Sequence, residues 1–153
     1  MIEKPSANED LLAAWIMNNS NRISSRTARE IARETIKTEI PFYMIGLIMA
    51  ESEFVPTAIS NKGAIGLTQV RFEVHGKELI RVGLIKDKRD LFDIGPSIRS
   101  GHFIFNMYLK QSRGDVEKAT ELYLGGNDGA YLKKISITLA NLYVLSIQKR
   151  KDG

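Results

Sequence analysis

The sequence contains no cysteine, which excludes disulfide frameworks and thiolate metal sites together and leaves the redox compartment open. Histidine is nearly absent too. With only His75 and His102 and no HExxH pattern, a structural or catalytic zinc site is not expected. Long apolar runs are missing: the most hydrophobic stretch, Pro41 to Ala50, falls far short of the roughly 20 residues that span a bilayer. No low-complexity segment or internal repeat is visible. What remains is the composition of an ordinary globular protein, 153 residues with 43% hydrophobic and 26% charged. That length predicts one domain over residues 1–153 with a single core, and a monomer is the expectation. The formal net charge of +4 favours an anionic partner without choosing among anionic polymers.

The pattern predicts a mostly α, lysozyme-like α+β arrangement in which helices surround a buried helix and a small β-hairpin. Residues 1–8 are polar and expected to fray. A short helix over Asp10–Met17 turns Leu11, Leu12, Trp15 and Ile16 inward, and Trp15 reads as a core anchor. A second runs from Ser25 to Thr38, with Thr27 and Glu30 in capping-box spacing. Its Arg26, Arg29, Arg33 and Lys37 read as a solvated face, interleaved with Glu30 and Glu34 in i,i+4 pairs. Pro41 opens a third helix to Ser52 that is apolar on nearly every side, the mark of a buried helix.

Beyond it, residues 54–70 carry Pro56, Gly63 and Gly66 and predict an irregular hairpin turning at Asn61-Lys62-Gly63. A helix over Glu73–Leu84 is expected to be interrupted by Gly76, and Lys86–Asp90 to form a charged loop. Three more helices follow, from Pro96 to Ser112, from Val116 to Leu124 and from Tyr131 to Gln148. Arg113-Gly114-Asp115 and the glycine-rich run 125–129 separate them. His102 reads as a packing residue on the first of these three.

Glu51 stands out because an apolar helix leads into it. A carboxyl placed where a core meets a cleft is desolvated, its pKa rises, and it can stay protonated near neutral pH. Such an acid can protonate the oxygen of a glycosidic bond.

The residues around it carry a resemblance. Glu51-Ser52-Glu53-Phe54-Val55-Pro56, with Ala58 and Ser60, is followed by Gly63-Ala64-Ile65-Gly66-Leu67-Thr68-Gln69. This order resembles the E-S-x-F-x-P-x-A-x-S and G-A-x-G-L-M-Q signature of the soluble lytic transglycosylases in the goose-lysozyme-like superfamily. Leu91-Phe92-Asp93 with Ile98-Arg99-Ser100-Gly101, then Asp115 through Tyr123 with the following glycines, then Tyr131 with Ile135, look like its later motifs. The likeness covers residues 39–140 in order.

The resemblance implies cleavage of peptidoglycan glycan strands, without metal or cofactor, at the β-1,4 bond between N-acetylmuramic acid and N-acetylglucosamine. It implies Glu51 as the single catalytic acid and base, and a 1,6-anhydro-muramic acid product. Ser60 would lie near the acid and orient it. Gly66 and Gln69 would line the substrate groove, with Tyr123 bonding near the acid and Tyr131 completing the site. Asp93 and Asp128 read as caps or surface charges, and Glu53, two residues from the acid, is expected to point elsewhere. The sequence departs from the pattern at Thr68, at Arg71 and Phe72, at Leu124 where an asparagine is usual, and at Asn127. These departures put the groove contacts, rather than the acid, in doubt.

A periplasmic or envelope location follows from that substrate, with a phage- or secretion-machine-associated protein as the alternative. Residues 1–5 lack the basic start and apolar run of a secretory signal, so a removed signal or another export route is expected. Three rival readings stay open: a goose-type hydrolase, which needs a positioned base; a catalytically weak peptidoglycan-binding module; and a helical DNA-binding module. Only charge favours the last, so no nucleic-acid partner is expected.

Overall fold

The computed structural model describes residues 8–126 and 128–152, with side chains as far as Gln148. The expected fraying of the first residues and the departure at Asn127 lie outside this set. The described residues form seven α-helices: α1 (Glu9–Asn19), α2 (Ser25–Ile36), α3 (Pro41–Ser52), α4 (Phe72–Arg81), α5 (Ile94–Gln111), α6 (Val116–Leu124) and α7 (Gly129–Asp152). Helix dominates, and the described residues contain no sheet.

The first two helices are fixed at their starts by side chains. Asn8 accepts the Leu11 N–H at 2.7 Å to cap α1. Ser24 accepts the Thr27 N–H at 3.1 Å to cap α2. The expected capping box at Thr27 is therefore displaced: Ser24, in extended conformation, takes the orphan amide first, and Thr27 is already helical. The basic stripe of α2 is also organised differently. Arg29 reaches Asp10 at 2.8 Å and Glu9 at 3.3 Å, and Arg33 reaches Glu9 at 3.2 Å, so these pairs cross to α1 instead of running along α2. Glu34 pairs with Lys37 at i,i+3 and with Arg99 of α5. Exposed pairs of this kind contribute about 0–1 kcal/mol each, enough to bias alignment but not to hold the helices together.

Burial holds them together. In α3, nine of the 12 residues are buried, and the helix packs against α7 and α2. A methyl at Gly46 would stand 3.3 Å from Ile135 of α7, so the two backbones approach closely at that point. Leu12, Trp15 and Ile16 of α1, Ile31 of α2 and Phe105 of α5 complete the same core.

Three other expectations need correction. Gly76 does not interrupt α4, because the Phe72 ring lies over it, 2.6 Å from where a Cβ would sit, and the helix runs on continuously. Helix α5 begins at Ile94, two residues before Pro96, where a missing N–H still costs no intrahelical bond. The loop at Lys86–Asp90 is followed into a 3-10 turn over Lys88–Phe92, which Asp87 and Asp90 cap reciprocally.

The expected hairpin is reduced to two isolated antiparallel bridges, Ile59 with Ile65 and Ile65 with Val70. Without a sheet, the carbonyls of this segment find other partners, as buried polar backbone must. Ser52 donates to Leu67 O at 2.8 Å, Tyr123 to Thr68 O at 2.7 Å, and Gln69 Nε2 to Gly66 O at 3.0 Å. Thr68 donates its hydroxyl to Ser97 O at 2.8 Å. Helices α3, α5 and α6 thus each hold the bridged segment by a side-chain bond.

Candidate active site

Glu51 lies in the last turn of α3. The helix stops there because Glu53 adopts the left-handed conformation (φ 51°), with its N–H on Met49 O, and Phe54 follows with φ 66°. Two successive non-glycine residues at positive φ are unfavourable backbone. The burial of Phe54, which is fully enclosed and meets Trp15 edge-on at 6.3 Å, offsets that cost. The chain therefore turns sharply just past Glu51, and the turn leaves the carboxyl at the wall of a cleft of about 870 Å³.

Burial pushes the Glu51 carboxyl up to about 7 from its usual 4.5. No hydrogen bond or ion pair to it is found among the described residues, so nothing there stabilises the charged form. Two tyrosines feel its charge. Tyr43, two turns earlier on α3, is pushed up to about 12 by burial, with Glu51 adding to the effect. It bonds Thr120, whose own hydroxyl proton goes to Val116 O. Tyr123 is raised well above the ordinary tyrosine value, first by burial and then by Glu51. Both phenols therefore stay neutral, and both lie close enough to the acid to feel its charge.

Of the residues expected at the site, Ser60, Gln69, Tyr123 and Tyr131 line the same cleft as Glu51. Ser60 Oγ accepts the Ala64 N–H at 3.0 Å and the Lys62 N–H at 3.2 Å, which organises the turn. It makes no bond to Glu51, so its link to the acid is a shared cavity wall. Gln69 spends its amide N–H groups on Ala58 O and Gly66 O, which leaves its carbonyl oxygen for a ligand. Gly66 does not line the cleft. It is buried with φ 81°, and a Cβ there would stand 2.1 Å from Leu91 O, so its role is to let the bridged segment approach the 3-10 turn.

The departures from the pattern divide cleanly. Thr68 is fully buried and bonded to Ser97, away from the cleft. Phe72 packs in the second apolar cluster with Ile65, Leu79 and Leu91. Leu124 and Arg71 do line the cleft.

Glu53 contradicts its expectation. Helical geometry predicts that it points elsewhere, but the left-handed turn brings it onto the wall that Glu51 lines. Asp128 lines it as well, with one oxygen accepting the Ala130 N–H at 3.0 Å as a cap of α7. Asp93 stands at the start of α5, off this cleft. His102 is half-buried on α5, bonded to Asn106, and its pKa is lowered by burial. Sequence reasoning missed Tyr43, although its spacing of eight from Glu51 on one helix places both on the same face. It also missed the cleft cations Arg22, Lys62 and Lys134, which no local pattern marks.

The model of the transglycosylase SLT domain family matches residues 30–138, more than two thirds of the chain, and the protein belongs to that family. No curated protein and no solved structure matches the chain. Membership supports a lysozyme-like, peptidoglycan-directed transglycosylase activity in general terms, and with it a place of action in the envelope or outside the cytoplasm. No helix among the described residues is long and apolar enough to cross a membrane.

Proposed function

We propose that the protein is a peptidoglycan lytic transglycosylase that cleaves the β-1,4 bond between N-acetylmuramic acid and N-acetylglucosamine, with Glu51 as acid and then base. One observation carries the reading: an unpaired carboxyl, raised to about 7 by burial, stands at the wall of a cleft in a chain of this family. At neutral pH a substantial share of Glu51 is protonated, and it can give that proton to the leaving sugar oxygen. The anion so formed is then placed to take the C6 hydroxyl proton of the muramic acid. That oxygen attacks C1 of its own ring and closes the 1,6-anhydro bridge. A tethered hydroxyl has an effective concentration of up to about 10⁵ M or more when well oriented, far above that of water. Ser60, Gln69, Tyr123 and Tyr131 are assigned to holding the strand.

Glu53 supports a second reading, a hydrolase. A hydrolase positions water with a second carboxylate across the sugar, and Glu53 shares the cleft with Glu51. Mass spectrometry of the digestion products decides between them. Each anhydro-muramic product is one water lighter than its hydrolysed counterpart and is not reduced by borohydride. Reducible products that disappear in Glu53→Gln would replace the transglycosylase with a muramidase whose base is Glu53.

A further inference from the structure

Four cations line the cleft besides the groups already assigned: Arg22 from the α1–α2 loop, Lys62 at the tip of the bridged segment, Arg71 at the start of α4, and Lys134 on α7. All four are exposed, and none forms an ion pair within 4 Å among the described residues. Arg71 is one of the positions at which the sequence departs from the pattern it resembles.

An uncharged glycan backbone offers no counter-charge to four unpaired cations. The anionic groups available on a peptidoglycan strand are the carboxylates of its stem peptides. Glu53 and Asp128 on the same wall make the lining mixed in sign. That suits a peptide bearing both amino and carboxylate groups better than a polyphosphate, which would meet two fixed carboxylates. His75 adds no charge, because burial first and Arg71 second lower its pKa and leave it neutral at pH 7.

Resting on the transglycosylase reading, we infer that Arg22, Lys62, Arg71 and Lys134 form a carboxylate-binding rim that selects strands whose stem peptides keep free carboxylates. Lys62 and Arg71 belong together. The Ile65–Val70 bridge sets Arg71 opposite Ala64, two residues from Lys62, so both sit on one arm of the cleft wall. An exposed charge pair changes an equilibrium by roughly two- to fivefold, and two or more acting on one strand by about tenfold. Screening of such pairs at high salt is expected.

The test uses solubilised, uncross-linked glycan strands with intact stems, and the same strands after carbodiimide coupling with methylamine has converted the carboxylates to amides. Glu51→Gln protein, which holds strands without cutting them, is titrated with each. The expected result is about tenfold tighter binding of the free-carboxylate strands at low salt, with the ratio falling toward one in 0.5 M sodium chloride (about 0.5 M places the Debye length near 4 Å). In the Lys62→Met, Arg71→Met variant made in the same background, the ratio should also fall severalfold. Equal affinity for the two strands, or none for either, overturns the rim, and this comparison needs no variant beyond Glu51→Gln. Cleavage by the wild-type protein is scored separately. Binding with the predicted preference but no cleavage by the wild type removes the enzymatic reading and leaves the rim standing.

Discussion

Replacing Glu51 by glutamine separates what the carboxyl does for catalysis from what it costs the fold. Burial raises the group from 4.5 to about 7. At about 1.4 kcal/mol per pH unit, this corresponds to a differential on the order of 3 kcal/mol between the protonated and ionised forms. The sign follows from proton counting. Between pH 4.5 and about 7 the folded protein holds a proton on Glu51 that the unfolded chain has lost, so stability falls as pH rises through that window. Below it both states are protonated, above it both are ionised, and the contribution is flat.

Glutamine has no such titration. The free energy of unfolding of Glu51→Gln minus that of the wild type should therefore grow by on the order of 3 kcal/mol from pH 4.5 to above 7 and then level off. Urea denaturation of both proteins across pH 4–9 measures it, and taking the difference cancels the groups they share. Turbidity loss of purified peptidoglycan should fall by about 10² to 10⁴ in rate in the variant, the usual worth of general acid catalysis. In the wild type the rate should decline as pH rises through about 7, where the acid loses its proton. A stability difference that does not change with pH would show that Glu51 is not desolvated. Near-normal cleavage by a folded Glu51→Gln protein would refute its role as the acid.

Gly66→Ala should destabilise the fold by roughly 3 kcal/mol or more, since the new Cβ would meet Leu91 O at 2.1 Å in a left-handed conformation; thermal denaturation measures it. Thr68→Met, which restores the usual residue of the pattern, should destabilise by about 1–3 kcal/mol by overpacking against Ser97 and Gly101, and an unchanged melting temperature would show that the site has slack. Leu124→Asn adds a polar group to the cleft wall, where a neutral hydrogen bond contributes roughly 0.5–1.5 kcal/mol. Binding of chitooligosaccharides by calorimetry should tighten by about two- to tenfold, and no gain would mean that the Leu124 position does not face the sugar.

How much of this was legible beforehand depended on the range of the interactions involved. Helices α3 and α6 run between their predicted bounds, because Pro41 and Asp115 at their starts and an apolar pattern through their lengths are local signals. The burial of the Glu51 carboxyl beside a cleft was legible for the same reason, since the group stands at the end of an apolar helix. The cap of α2 and the start of α5 were misplaced by three and two residues, at Thr27 for Ser24 and Pro96 for Ile94, and an interruption at Gly76 was expected in a helix that runs on continuously. The hairpin was misjudged more deeply. Period-2 patterning cannot show that Ser52, Thr68, Gln69 and Tyr123 will take up the hydrogen bonds that a second strand would otherwise make. Glu53 is the instructive failure: its place on the cleft wall follows a turn of two left-handed residues, the second of which, Phe54, packs on Trp15 nearly 40 positions away.

The position of the acid within its helix completes the physical account of its protonation. A carboxylate at the N-terminus of a helix faces unpaired N–H groups and the positive end of the dipole, and it ionises readily. Glu51 is at the opposite end, among the last carbonyls of α3, and that turn contains no basic residue. The helix therefore disfavours the anion in the same direction as burial does. The four cleft cations do not undo this, since none pairs with Glu51. A cation brought into contact with the carboxyl would stabilise its charged form and lower its pKa, and so reduce the share of Glu51 that is protonated at neutral pH. The same cleft can thus hold unpaired cations at its rim and a protonated acid at its wall only while the two are kept apart, and the turn at Glu53 and Phe54, which fixes where α3 ends, is what sets the acid's side of that separation.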